Sequence, residues 1–283
     1  WKNYLNVAFI CFYLSKSGKN GPTIRSITVP GDWILMPEWS DNAIIIGVKK
    51  FAERDAVVSF LTQNHGKYSG LCKGAFSKRL SGTVQTGNLV QLNWKARLEE
   101  HLGTVKVELL NAYCVPVLSD PGRLTALSCL CAMCSLLPER ENVGVFFQKT
   151  VEQLALLPYD GWAERYARWE VELLKVLGFG LDLSVCAATG TTRDLAYVSP
   201  KSGRAVSRDA GAPWRNRLLE LPAFLTDTDA AAQSVDEIKK ALKLTGFFLE
   251  NHVLKTIDCT IPAVRGRLIE RLSRRETVDM QVL

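Results

Sequence analysis

Residues 66 to 98 read GKYSGLCKGAFSKRLSGTVQTGNLVQLNWKARL. Tyr68 to Cys72 and Leu89 to Trp94 are short apolar or alternating runs of strand length, and Ser81-Gly82 and Thr86-Gly87-Asn88 between them are turn material. Along these strands and the loop joining them sit Lys67, Lys73, Lys78, Arg79, Lys95 and Arg97 without one Asp or Glu, in a chain whose 35 Lys+Arg nearly balance 29 Asp+Glu. Tyr68, Phe76 and Trp94 and several glycines are interleaved with the charge. Such a stretch suits a surface that follows a phosphate backbone and offers flat rings to bases. Composition alone describes a solvated basic face between two strands equally well.

The pattern extends on both sides. Ala43 to Val48, Ala56 to Leu61 and Val105 to Leu110 are further strand-length runs rich in Val and Ile. Five short strands between Asp41 and Leu110 predict a small closed sheet, either an oligonucleotide-binding (OB) barrel or an SH3-like barrel. Glu99-Glu100-His101 falls between the last two strands and reads as a hairpin loop.

Beyond Val115-Pro116 the period becomes helical. Asp120 before Pro121 is a cap followed by a proline whose missing N–H costs nothing in a first turn, and the helix runs to a stop at Pro138. A second helix is predicted over Glu141 to Leu157. A third, capped by Asp160, carries Trp162, Tyr166, Trp169, Leu173, Leu174 and Leu177 as one apolar stripe and stops at Gly178. Residues 184 to 217 lose periodicity and read as an irregular insertion. Ser234 with Glu237 forms a capping box for a helix through Phe248, and a last helix from Pro262 to about Arg275 is rich in arginine, including Arg265. The resulting division is 1–37 a leader, 38–113 a barrel, 114–183 and 221–283 a helical domain, and 184–220 an insertion.

At 283 residues, 47% hydrophobic and 23% charged, the chain is an ordinary globular protein with room for two or three cores. A net charge of +6 favours polyanionic partners without demanding them. Eight cysteines at irregular spacing in a chain this large indicate a reducing compartment. The apolar run Val7 to Leu14 is too short to span a bilayer and has no cleavage site close behind it, so a cytoplasmic protein is expected. Residues 1 to 35 show no sustained periodicity, and Met36 stands directly before Pro37-Glu38-Trp39-Ser40. Met36 is therefore the expected physiological start.

Cys129-x-Cys131-x-x-Cys134 resembles a metal cluster only in one dimension. On a helix, residues two apart diverge by about 200° and residues five apart by about 140°, so the thiols cannot converge and are read as small buried hydrophobes. His65, His101 and His252 are scattered, and no nucleophile elbow or phosphate-cradling loop occurs. A non-enzymatic protein is expected.

Glu38-Trp39-Ser40, His65-Gly66-Lys67, Lys73-Gly74-Ala75-Phe76-Ser77-Lys78-Arg79, Leu177-Gly178-Phe179-Gly180-Leu181-Asp182 and Cys186-Ala187-Ala188-Thr189-Gly190, in this order, resemble the RecO family of bacterial recombination mediators. The likeness runs from about Glu38 to about Leu272. It implies an α+β protein: a five-stranded OB-fold barrel, then a helical domain with a small zinc-ribbon-like insertion. It also implies a cytoplasmic, nucleoid-associated protein without catalysis that binds single- and double-stranded DNA, anneals complementary strands, and works with RecR and the single-stranded DNA-binding protein (SSB) to load RecA. The alternative is a general nucleic-acid chaperone or RNA-binding module on the same barrel.

On this reading the DNA contacts are Lys67, Lys73, Lys78, Arg79, Lys95 and Arg97, extended by Arg204, Arg208, Arg215 and Arg217, with Tyr68, Phe76 or Trp94 as rings that either stack on bases or fill the barrel. The resemblance places the site for the acidic SSB tail in the helical domain, and Arg165, Arg168 and Val171 are the expected residues. Many relatives hold zinc through two cysteine pairs in the insertion. Here only Cys186 remains, with Thr189 in its partner's place and no second pair, so no cofactor is expected and Tyr197, Val198 and Val206 are expected to hold the insertion together.

Overall fold

The computed structural model describes residues 37–227, 230–256 and 259–279. The expected leader and the start at Met36 lie outside the described residues. Strands β1 (Glu38–Lys50), β2 (Ala56–Thr62), β3 (Gly66–Cys72), β4 (Leu89–Lys95) and β5 (Thr104–Asn111) close into a barrel in the order β1-β2-β3-β5-β4. All five lie where the alternation predicts them. The barrel closes because β1 is long enough to serve two neighbours: Ala43 is paired with Thr62 of β2 on one side and Val90 of β4 on the other. A bulge between Ile45 and Gly47 bends the strand between those partners. β3 meets β5 in a short parallel pairing, Leu71 with Thr104 and Cys72 with Val105.

Alternation sorts the side chains. Phe60, Tyr68, Val90, Leu92 and Trp94 point inward and fill the barrel core. On the other wall of β1 and β2, Ile44, Ile46 and Leu61 join a second core shared with the helices, so the barrel is packed against them rather than tethered to them.

The helical part comprises α1 (Pro121–Cys134), α2 (Gly144–Leu156), α3 (Trp162–Val176), the single turn α4 (Arg208–Gly211), α5 (Val235–Phe248) and α6 (Ala263–Asp279). Asp120 Oδ1 accepts the free N–H groups of Gly122 and Arg123, as its position before Pro121 predicts. Asp160 does not cap α3. Gly161, at φ 75°, occupies that position, and the Asp160 carboxylate turns away to Arg123 at 3.1 Å. The far end of α3 closes on Gly178 (φ 87°), with Phe179 N–H donating to Leu174 O and Gly178 N–H to Lys175 O, the double bond that a left-handed glycine permits. At α5 the Ser234 hydroxyl accepts the Glu237 N–H, but Glu237 Oε2 accepts the N–H of Gln233 instead of that of Ser234.

Cys129, Cys131 and Cys134 are buried on α1, and burial raises the Cys129 and Cys131 thiols to about 12. Arg265, one of the arginines of the last helix, is buried: its Nε and Nη2 donate to the two oxygens of Glu170 at 2.8 and 2.9 Å. Tyr166 and Thr245 hydroxyls complete the Glu170 shell at 2.7 and 2.6 Å. Burial opposes the charge on Glu170, and Arg265 with these donors outweighs it, holding the carboxyl below its ordinary range.

The insertion is more regular than its sequence predicts. β6 (Leu195–Val198) lies between β7 (Ala205–Ser207) and β8 (Leu219–Glu220) in a three-stranded sheet. Strands of two to four residues are too short to declare a period, which is why the sequence reads as irregular. Val198 and Ala205 are fully buried, Val206 nearly so, and Tyr197 half-buried.

Candidate nucleic-acid interface

One rim of the barrel gathers three loops: 51–55 between β1 and β2, 73–88 between β3 and β4, and 96–103 between β4 and β5. Hydrogen bonds tie them together: Phe76 N–H donates to Arg54 O at 3.1 Å, Gly74 N–H to Asp55 Oδ1 at 2.8 Å, and Leu71 N–H to Gly103 O at 3.0 Å. Ala75 and Val84 anchor the longest loop in the barrel core. Lys73, Lys78, Arg79 and Arg97 stand exposed on this rim, and none has an ion-pair partner among the described residues. Lys49, Lys50 and Arg54, which lie outside the acid-free stretch, reach the same rim because Lys50 pairs with Ala56 at the start of β2. Their proximity is set by strand pairing and has no local signal.

The acids that sequence proximity hides are also here. Glu53, Asp55, Glu99 and Glu100 sit in two of the three loops, with Asp55 committed to Gly74. Basic side chains still outnumber them. Of the three candidate rings, only Phe76 is accessible, at 45% exposure, and Phe51, at 66%, stands beside it on the neighbouring loop. Tyr68 is buried and Trp94 fully so, its Nε1 donating to Ser69 O and Leu102 O, both at 3.2 Å. These two rings are barrel core.

Lys67 belongs to a different surface. Its Nζ donates to Ser135 O at the end of α1 at 2.8 Å, its carbonyl accepts the Arg140 N–H at 3.0 Å, and burial lowers its ammonium pKa. Its neighbour Gly66 has φ 74°, and a Cβ there would lie 1.9 Å from Glu141 O. His65-Gly66-Lys67 is thus the seam between barrel and helices. His65 stacks on Trp39 with centroids 3.9 Å apart and contacts Asp41 at 2.9 Å, so the Glu38-Trp39-Ser40 segment serves the same framework.

Other expected contacts are partly neutralised. Lys95 pairs with Glu38 at 3.0 Å, Arg204 with Asp182 at 3.4 Å and Arg208 with Asp194 at 3.1 Å, all exposed pairs that a polyanion must displace. Arg204 and Arg208 belong to the insertion, as do Arg215 and Arg217 in its 3₁₀ turn Ala212–Arg217.

In the helical domain, Arg165, Arg168 and Val171 line one cavity of about 330 Å³ together with Lys149, Leu156, Trp169 and Leu225. Arg168 is already committed, to Glu164 at 3.0 Å and to the carbonyls of Asp227 and Ala230, with Phe224 beneath its guanidinium. Arg165 Nη2 donates to Leu156 O and Tyr159 O. The cavity has an apolar floor, and its rim sets Lys149, Arg165 and Arg168 among Glu152 and Glu172.

The insertion does not fit the zinc that the resemblance implies. Cys186 is buried; its sulfur accepts the Ser207 N–H at 3.2 Å and its thiol donates to Ser207 Oγ at 3.4 Å. Burial raises this thiol, and the Ser207 and Thr189 hydroxyls with the amides of Ser207 and Ala188 outweigh it, bringing it to about 6. Among the described residues no group of three His, Cys, Asp or Glu can hold an ion. Among the described residues, too, no helix is long and apolar enough to cross a membrane.

Residues 36–113 match the family model described as Recombination protein O N terminal, and residues 118–257 the one described as Recombination protein O C terminal. The chain is similar to DNA repair protein RecO of Rhodospirillum rubrum, 45% identical over 251 residues covering 86% of this chain and 100% of that protein. It is also similar to the proteins of that name from Rhodospirillum centenum, 43% identical over 86% of this chain and 97% of the relative, and Mesorhizobium japonicum, 42% identical over 84% and 94%. The barrel, the helical domain behind it and these likenesses agree, and the chain belongs to the RecO family.

Proposed function

We propose that this protein acts in DNA repair and recombination as a non-enzymatic mediator that binds DNA on the three-loop rim of its barrel and promotes annealing of complementary strands. The observation that carries this reading is the rim itself, where Lys73, Lys78, Arg79 and Arg97 are exposed and unpaired among the described residues, beside Phe76. Annealing requires two polyanions to approach, and their repulsion is the obstacle. Cations that neutralise phosphates and release counterions lower it without ATP. Lys49, Lys50 and Arg54 widen the track, and Phe76 and Phe51 offer stacking faces. Lys67, Tyr68 and Trp94 take no part.

Replacing Lys73, Lys78 and Arg79 together by Ala weakens binding to single strands of every sequence and lowers the slope of log affinity against log salt by about 2, at about 0.7 per lost phosphate contact. A gel-shift series over salt reads both. Unchanged affinity at low salt would remove the rim from the reading.

Loading of RecA on SSB-coated DNA requires recognition of the SSB tail, and the cavity of about 330 Å³ beside Arg165 and Val171 suits an acidic peptide with an apolar tip. Lys149, held by Glu172 at 2.8 Å, and Arg165 form its rim, while Arg168 is bound to the carbonyls of Asp227 and Ala230. A fluorescent tail peptide binding Lys149→Ala and Arg165→Ala as tightly as wild type would exclude the cavity. Within the same reading the insertion folds without zinc, and purified protein contains no stoichiometric metal. RecR is the further partner this reading requires.

A further inference from the structure

A second basic surface lies in the helical domain, away from the barrel. The 3₁₀ turn Ala212–Arg217 and the exposed side of α5 enclose a cleft of about 720 Å³ lined by Arg215, Asn216, Glu220, Lys239, Lys240 and Lys243 among others. Its two acids are both taken by one lysine: Lys240 Nζ lies 2.9 Å from Glu220 and 3.5 Å from Asp236. The remaining side chains of the cleft that carry charge, Arg215, Lys239 and Lys243, are all positive. On the same turn as Arg215, and next to it in the chain, Trp214 is 57% exposed, with the Arg217 guanidinium 5.8 Å from its ring centroid. An indole left in water among cations is unexplained by packing, since no residue of this turn is buried.

We propose that this cleft is a second binding site for single-stranded nucleic acid, with Arg215, Lys243 and Arg217 on phosphates and Trp214 as a stacking platform. The inference rests on the reading of the protein as a strand-annealing mediator and adds where the second strand is held. An acidic peptide would satisfy the lysines, but a nucleic-acid strand carries a flat base and a phosphate on every unit and so matches spaced cations beside an exposed indole.

The cleft and the rim are built on different elements. α1 and α2 are the helices that pack on the barrel, through β1 and β2, whereas α5 packs on α3, α6 and β8. Helix layers lie about 8–10 Å apart, so at least one full layer separates the two surfaces. A strand anchored in the cleft is thereby confined near the rim at an effective concentration on the order of millimolar, which favours nucleation with a strand already bound there.

The test compares two variants of the full chain, Lys73→Ala/Lys78→Ala/Arg79→Ala on the rim and Trp214→Ala/Arg215→Ala/Lys243→Ala in the cleft. A labelled oligothymidylate measures binding of one strand, and a pair of complementary oligonucleotides measures the annealing rate. The cleft variant is expected to bind the single oligonucleotide within about 3-fold of wild type and to anneal at least about 10-fold more slowly. Photo-crosslinking of a bromodeoxyuridine oligonucleotide is expected to label Trp214. Annealing at the wild-type rate, or no label at Trp214, overturns the proposal. Polyglutamate that occupies the cleft and is not displaced by oligothymidylate overturns it in favour of an acidic protein partner. If the rim variant alone retains full binding and annealing, the rim assignment fails and the cleft result stands apart from it. Lys243→Glu, a single change on the solvent side of α5, repeats the annealing measurement should the triple cleft variant not fold.

Discussion

Lys67 lies in a sequence of unopposed positive charge and is nonetheless used as a helix cap. Its ammonium faces the end of α1, where carbonyls lack partners and the helix dipole is negative, and it donates to Ser135 O. Lys67→Ala is expected to cost about 1–2 kcal/mol of stability, the worth of a hydrogen bond from a charged donor, while DNA affinity stays within about two-fold. Urea denaturation alongside a gel shift separates the two effects; a large loss of affinity with unaltered stability would return Lys67 to the DNA site. Gly66 is less replaceable still. Gly66→Ala combines a left-handed backbone with a Cβ placed 1.9 Å from Glu141 O, so the seam must open to admit it. A loss of about 3 kcal/mol or more is expected, again read by urea.

Among elements, the Glu170–Arg265 pair fastens α3 to α6, with Tyr166 of α3 and Thr245 of α5 closing the shell. Both charges are almost wholly removed from water, so breaking the pair leaves one of them uncompensated. Glu170→Gln is expected to destabilise by about 3–5 kcal/mol. The pH dependence has a definite sign. A carboxyl whose folded pKa is depressed contributes stability above its unfolded pKa and loses that contribution as pH falls through the folded value. Acid therefore weakens wild type below the ordinary carboxylate range, and the Gln variant lacks that share of the slope. Equal acid sensitivity in both would show that other carboxyls dominate.

For the molecule as a whole, the outer wall of the barrel contributes Ile44, Ile46 and Leu61 to the core of the helices. Neither body buries that surface alone. Unfolding is expected to be one cooperative transition, with the fluorescence of Trp94 in the barrel, read in a variant whose other tryptophans are replaced by Phe, coinciding with the helical circular dichroism signal. Two separated transitions would show that the seam contributes little. A basic rim on a barrel held in this way keeps a fixed orientation to the helical domain, which the proposed handling of two strands requires.

The positions of five strands and five long helices were legible in the sequence because each depends on local signals: alternation, a 3.6-residue stripe, Asp120 before Pro121, Ser234 with Glu237, and Gly178 after α3. The exposure of Lys73, Lys78 and Arg79 was legible too, since a glycine- and charge-rich loop between strands goes to the surface, whereas the sequence left open whether Phe76 faces water or fills the barrel. Only the tertiary structure decided that Lys67 caps a helix, that Tyr68 and Trp94 face inward, that Arg265 is buried, and that Lys49, Phe51 and Arg54 join the rim. Those facts depend on which residues strand pairing and helix packing bring together across long stretches of chain. Charge is a property of a residue, whereas the partner that consumes it is a property of the fold.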